Sequence, residues 1–385
     1  MEQHDLGFFL KSLEVADDEQ QKKHQGQKKE VKGALPQEVR ELEWYFFHPP
    51  SISPSPKLAQ RKDRLYTEPM DYIASQEVDE LLSDNPELKE ELINTIAGAA
   101  QPLEPLPTGE TFRGKWAAPP RAVLFDIYGT LIISQSGDVG SARSGGKREV
   151  FRQALSAVGI APLRDDQADL IHDTYFAEIL ESHRQSREEG IDFPEVDIVS
   201  VWHRVLEKTV IHQGFPLAVT AELLARLAVE YEVRANACAL MPGAARLLEH
   251  LAAKQIPRGI ISNAQFYTPL LVEALLGKPP EGLGFEKDII FWSYQERCGK
   301  PSARLFQKAR ETLALRGLAD LRRVVYLGND VSKDIIPSRK EGFTSVLFAG
   351  DVRSLRWGEK DPLYSYLKPD IIITELDQLT SLLSG

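Results

Sequence analysis

Four short segments of this chain carry residue types that could do chemistry together. Phe125-Asp126-Ile127-Tyr128-Gly129-Thr130-Leu131 runs an apolar stretch into an aspartate and then a glycine turn. Ile260-Ile261-Ser262-Asn263 ends an apolar stretch in a hydroxyl and an amide. Gly299-Lys300-Pro301 sets a cation just before a helical pattern, and Leu327-Gly328-Asn329-Asp330-Val331-Ser332-Lys333-Asp334 ends in two carboxylates four apart. Such a set suits reaction with a small anionic substrate, because a carboxylate approaches an anion only where a cation screens the repulsion. Each segment alone is weak, since an aspartate before Gly-Thr is usually a turn. Their order, each at the end of a predicted strand, makes a chance origin improbable.

The elements that must position them follow from periodicity. Arg121–Phe125 is a short apolar run of the kind a buried parallel strand shows. Further strands are predicted at about Arg258–Ser262, Asp288–Trp292, Arg323–Leu327, Thr344–Phe348 and Asp370–Thr374. Helical patterns at Ala244–Lys254, Thr268–Leu276, Ala303–Leu315 and Ser332–Glu341 alternate with them. Strand alternating with helix predicts an α/β fold, a doubly wound, Rossmann-like parallel sheet that binds ligands beyond the carboxyl ends of its strands. Between the first two strands lies an insertion of about 100 residues. It opens with the Gly/Ser-rich run Ser134–Gly146 and continues with helical patterns at Lys147–Val158, Arg164–Glu188, Asp197–Val210 and Thr220–Ala235. Helices inserted there would sit over the strand ends as a lid or cap. The expected division is an N-terminal extension over 1–118, a core over 119–136 and 237–385, and a helical cap over 137–236.

The extension reads differently. Asp17 to Lys32 is too polar to bury a core of its own, so the extension is expected to be partly disordered. The aromatic cluster Trp44, Tyr45, Phe46 and Phe47 can dock on the chain's own core or on a second subunit, which would give a homodimer. One helix is predicted from about Ala74 to Ala97, followed by two proline-rich stretches, QPLEPLPTGE and KWAAPP, that read as linker.

Composition narrows the function classes. The chain has 385 residues, 42% hydrophobic and 27% charged, with a formal net charge of −11. That balance excludes a broad nucleic-acid or anionic-membrane surface, so an anionic substrate must meet a local cation or metal. Two cysteines, Cys238 and Cys298, argue against a disulfide framework and fit a cytoplasmic setting. No apolar run is long enough to span a membrane, and the N-terminus does not read as a signal peptide.

The four segments resemble the four motifs of the haloacid dehalogenase-like (HAD) superfamily, over about 265 residues from Arg121 onward. The insertion between the first and second motifs is similar to that of the superfamily's C1-capped members. The resemblance implies a hydrolase in which Asp126 is the nucleophile and forms a covalent intermediate. Ser262 and Lys300 would hold the substrate's anionic oxygens, and Lys300 would also offset the charge of Asp126. Asp330 and Asp334 would bind Mg²⁺ together with Asp126 and the backbone carbonyl of Tyr128, and Thr130 and Asn263 would orient the nucleophile and its loops. One departure matters: phosphatases of the superfamily carry a second aspartate, the general acid and base, where this chain has Tyr128. A phenol, with a reference pKa of ~10, shuttles protons poorly near neutrality, and losing a positioned acid costs about 10²–10⁴-fold in rate. Substrates whose leaving group needs no proton, such as acyl or aryl phosphates, escape that loss. The Asp-x-Tyr-Gly-Thr form is also similar to 2-haloacid dehalogenases, which need no metal; Asp330, however, stands where those enzymes carry a small neutral residue. A metal-dependent phosphohydrolase is the favoured expectation. A dehalogenase, and a weakly active or non-catalytic ligand-binding protein, are the alternatives.

Other signals carry less. Asp330 to Glu341 mimics part of a calcium loop but has Ile335 where glycine is required. Gly140–Lys147 misses the P-loop spacing and has Arg148 in place of Ser or Thr. His172, His183, His203 and His212 show no metal spacing, and Arg184 and Arg187 read as a solvated face. Cys298, Trp202 and Trp292 read as packing residues.

Overall fold

The computed structural model describes residues 72–135, 147–160, 164–212, 217–358, 361, 363–364 and 366–384. The expectations for Asp17–Lys32, for Trp44–Phe47 and for most of the Gly/Ser-rich run lie outside them. Residues 72–385 make up one compact unit. Its centre is a six-stranded parallel sheet of β1 (Ala122–Phe125), β4 (Arg258–Ser262), β5 (Phe285–Trp292), β6 (Val324–Gly328), β7 (Thr344–Phe348) and β8 (Ile371–Ile373). The order is β5-β4-β1-β6-β7-β8. All residues of β1, β4, β6 and β8 are buried, as near-continuous apolar runs in a sheet covered on both faces should be. Phe125 registers with Ile260 on one side and Leu327 on the other, so the chain leaves three adjacent strands at one level. This is the point where strand order reverses, and the first, second and fourth site segments leave the sheet there, while Gly299–Pro301 follows the helix Ser293–Glu296 beyond the neighbouring strand β5.

Two further strands, β2 (Ile132–Ser134) and β3 (Cys238–Leu240), form an antiparallel ribbon at the root of the insertion. Three-residue strands set about a hundred residues apart are too short to register as a period, and the sequence reading missed them. The core strands fall where expected, except that β5 begins earlier, at Phe285. Phe285 pairs with Arg258 across a bulge that a strict period-2 pattern does not show.

The α-helices before and within the insertion are α1 (Ser75–Asp84), α2 (Pro86–Ala99), α3 (Lys147–Ala157), α4 (Asp165–Glu188), α5 (Ile198–Leu206) and α6 (Ala221–Ala235). A π-helical turn, Glu207–Ile211, extends α5. Those after it are α7 (Ala244–Ala253), α8 (Thr268–Leu276), α9 (Ser293–Glu296), α10 (Ala303–Leu315), α11 (Ile336–Lys340) and α12 (Leu376–Ser384). The helix expected over Ala74–Ala97 is two helices. Pro86 disfavours the helical region for Asn85, and Asn85 instead caps α2, its Oδ1 accepting from Leu88 N at 3.1 Å. α2 buries Leu88, Leu92 and Ile96 and pairs Lys89 with Glu273 of α8 at 2.8 Å.

The stretch read as linker is pinned to the core. Arg113 bridges to Ile372 of the edge strand β8, Thr108 Oγ1 donates to Ala349 O at 2.6 Å, and Trp116 Nε1 donates to Leu382 O at 2.9 Å. An exposed strand edge is a pairing liability, and this segment covers it.

The inserted helices have their own core. Phe151, Tyr175, Trp202 and Tyr231 pack with centroids 4.7 to 5.7 Å apart, all buried. Asp197 and Thr220 cap α5 and α6 through Ser200 N and Leu223 N. Among the described residues no helix is long and apolar enough to cross a membrane.

Candidate active site

Asp126 stands at the first position after β1, with its N–H donating to Leu327 O at 2.9 Å. A tight turn follows, in which Gly129 takes φ +78. Any Cβ there would stand 2.5 Å from Ser354 Cβ, so only glycine fits the turn. The turn hands the chain to β2 and leaves the Asp126 carboxylate beside the ends of β4 and β6.

Asp126 Oδ1 has two partners. Ser262, the last residue of β4, donates Oγ at 2.8 Å, and Lys300 Nζ lies at 2.8 Å. Lys300 also reaches Asp334 Oδ1 at 2.6 Å and Tyr326 OH at 3.1 Å. Lys300 is held by its backbone: its N–H donates to Asn263 Oδ1 at 2.7 Å, and Gly299 N donates to Phe193 O at 2.8 Å. Asp126, Ser262, Lys300 and Asp334 are 6%, 0%, 5% and 1% exposed, so the ion group is out of bulk water and unscreened by salt.

Burial pushes the Asp126 carboxyl up to about 6; Lys300 opposes the rise and Asp334 adds to it. Burial alone would lower the Lys300 ammonium, yet the two carboxylates outweigh it and hold it above its ordinary value. Burial also raises Asp330, with Asp334 adding to the rise. The nucleophile candidate and its cation are thus a mutually dependent pair.

In the fourth motif, Asp334 belongs to the ion group around Lys300. Asp334 was expected among the metal ligands. Its Oδ1 receives Lys300 and lies 3.0 Å from Tyr326 OH, and its Oδ2 accepts the N–H groups of Asn329 and Asp330 at 3.0 and 2.9 Å. A carboxylate so occupied braces the loop and the lysine. Asp330 Oδ1 caps the next turn through Ser332 N and Lys333 N at 2.8 and 2.9 Å. Thr130 Oγ1 donates to Asn329 Oδ1 at 3.1 Å, and Asn329 Nδ2 donates to Ser354 O at 2.7 Å, tying the first motif to the fourth.

The donor set still suits a hard divalent ion. Among the described residues, Asp126 Oδ2, Asp330 Oδ2 and the Tyr128 carbonyl have no hydrogen-bond partner. No group of three or more His, Cys, Asp and Glu side chains among the described residues could hold a metal. A Mg²⁺ ion would therefore rest on two carboxylates and a carbonyl, which is its usual habit where substrate and water complete the shell.

The Tyr128 phenol is buried and lies 3.1 Å from Thr268 Oγ1 at the start of α8. Burial raises it well above an ordinary phenol, with Glu232 and Cys238 adding to the rise. It stays protonated and tied to α8 through Thr268.

Of the other candidates, Arg184 pairs with Glu181 and Glu188 on the surface. His203 accepts from Ile73 N at 3.0 Å, and Cys298 and Trp202 are fully buried. The sequence reading missed Tyr326, Ser354 and the bracing role of Asn329. A signal for Tyr326 existed: a phenol inside a strand with apolar neighbours needs a polar partner when buried.

A family model described as haloacid dehalogenase-like hydrolase matches residues 120–340. No curated protein matches the chain. Similar solved structures include a HAD phosphatase from Thermococcus onnurineus, at 20% identity over 69% of this chain and 98% of that one, with a TM-score of 0.39. A 2-haloacid dehalogenase from Pseudomonas syringae pv. Tomato DC3000 is 21% identical over 69% of this chain and 98% of that one, with a TM-score of 0.43. The HAD-hydrolase YfnB from Bacillus subtilis bound to magnesium is 18% identical over 70% of this chain and 100% of that one, with a TM-score of 0.38.

Proposed function

We propose that this chain, which belongs to the haloacid dehalogenase-like hydrolases, hydrolyses a small anionic phosphorylated metabolite whose leaving group departs without a proton. The observation that carries the reading is the state of Asp126: one oxygen is held by Ser262 and Lys300, and Oδ2 is left without a partner among the described residues. Oδ2 attacks phosphorus, the bond from phosphorus to the leaving oxygen breaks, and that oxygen departs with the electron pair as a carboxylate or phenolate. Water then attacks the phosphorus of the aspartyl phosphate, the bond from phosphorus to Asp126 Oδ2 breaks, and both water protons leave on the phosphate as dihydrogen phosphate, regenerating the Asp126 carboxylate.

Lys300 keeps Asp126 ionised and offsets its charge as the dianion approaches. Asp126, the Tyr128 carbonyl and Asp330 would hold Mg²⁺, which supplies charge neutralisation at the phosphoryl oxygens when bound. The Tyr128 phenol, a poor proton donor, points to acyl or aryl phosphates, since such leaving groups are stable as anions. The same observation supports a second reading, a 2-haloacid dehalogenase: attack at carbon expels halide, which needs no proton either, and the resulting ester is hydrolysed.

The test is phosphate release from acetyl phosphate by wild type and Asp126→Asn, each with Mg²⁺ and with EDTA. Release well above the spontaneous rate that needs both Asp126 and Mg²⁺ is expected. Halide release from 2-haloacids in EDTA, without phosphate release, would transfer the assignment to the second reading. Silence in both assays would leave a ligand-binding protein.

A further inference from the structure

Tyr326 lies outside the four motif positions, yet its hydroxyl touches three of the four segments. An ammonium has three N–H donors, and those of Lys300 match three acceptors: Asp334 Oδ1 at 2.6 Å, Asp126 Oδ1 at 2.8 Å and Tyr326 OH at 3.1 Å. A phenol has one proton. Because Lys300 can only donate, the Tyr326 proton goes onward to Ile261 O at 2.8 Å or to Asp334 Oδ1 at 3.0 Å. Ile261 directly precedes Ser262 on β4. Tyr326 is fully buried, and its ring is fixed edge-on to Phe306, centroids 5.0 Å apart.

We propose that Tyr326 is a positioning residue whose hydroxyl keeps the Lys300 ammonium between Asp126 and Asp334. The inference rests on the reading of Asp126 as nucleophile and Lys300 as its cation. Without the hydroxyl, the third N–H loses its protein acceptor on a side chain that is only 3% exposed. Asp334 is already the nearer of the two carboxylates, so the ammonium is free to settle toward it and away from the nucleophile. A purely structural hydroxyl, pinning β6 to β4 through Ile261 O, would behave differently: its loss would lower stability and leave the reaction of the folded enzyme alone.

The experiment compares full-length wild type and Tyr326→Phe with Mg²⁺, reading kcat and KM for acetyl phosphate, Tm, and the ¹H–¹⁵N resonance of the Lys300 ammonium, identified by its absence in Lys300→Arg. The expected result is a kcat lower by about 10- to 100-fold, the scale of one charge-assisted hydrogen bond, with KM held within about threefold because Tyr326 does not reach substrate. The ammonium resonance should shift or broaden beyond detection. If Tyr326→Phe does not fold, 3-fluorotyrosine at position 326 serves, since it keeps shape and hydroxyl but is a poorer acceptor. It should move kcat and the resonance in the same direction by less. A wild-type kcat, or an unchanged ammonium resonance in a variant with lowered Tm, overturns the proposal. Should neither protein turn over acetyl phosphate, the functional reading fails separately and the resonance still decides the role of Tyr326.

Discussion

Replacing Lys300 by methionine removes the ammonium that lies 2.8 Å from Asp126 and 2.6 Å from Asp334. At an effective dielectric of about 20, each contact represents roughly 6 kcal/mol of Coulomb attraction before desolvation is counted. Net of desolvation, deleting one partner of a buried ion group costs about 3–5 kcal/mol, because the remaining charges have nowhere to go. Asp126 can escape by taking up a proton, and this sets the sign of the pH dependence. Wild-type Asp126 already stands at about 6, above the ordinary 3.8, and losing Lys300 raises it further. A carboxyl whose folded pKa exceeds its unfolded one contributes stability at acid pH that is lost as pH rises through the folded value. The variant should therefore melt close to wild type near pH 5 and fall well below it at pH 8, both in EDTA. At about 1–2 °C per kcal/mol for a unit as large as Tyr72–Gly385, 3–5 kcal/mol corresponds to roughly 3–10 °C. Thermal melts of both proteins at pH 5, 6.5 and 8 check this. A deficit that is the same at every pH, or that grows toward acid, would refute the picture of two carboxylates held together by one cation.

Two simpler changes test other parts of the structure. Gly328→Ala would place a Cβ 2.4 Å from Asp334 Cγ, displacing the carboxylate from Lys300 and from two backbone N–H groups. Urea melts should show a loss of about 2–4 kcal/mol, and phosphate release should fall with it. Asn85→Ala removes the cap on α2 and should cost about 1 kcal/mol while acetyl phosphate turnover per folded molecule stays at the wild-type level.

The core was legible because its code is local. A buried parallel strand needs an unbroken apolar run, and Thr344–Phe348 has the predicted bounds. Thr268–Leu276 and Ala303–Leu315 likewise match, being bounded by Pro269 near the start of one and the Ser302 cap of the other. The break at Asn85-Pro86 was also written in the chain, and the amphipathic pattern running through it hid the stop. The edge pairing of Arg113 with Ile372 had no local signal, because one isolated bridge leaves no period.

The sequence by itself determined which side chains stand at the carboxyl ends of β1, β4 and β6, namely Asp126, Ser262, Asn329 and Asp330. Strand and turn signals act over a few residues, and the parallel sheet aligns whatever follows each strand. Only the tertiary structure decided which oxygen each group would hold. Asp126 and Ser262 are 136 residues apart in the chain, and nothing near Asp334 announces that its oxygens go to Lys300 and two backbone amides. Partner choice depends on distances and on how many donors one buried ammonium can share, and those are properties of the packed site alone.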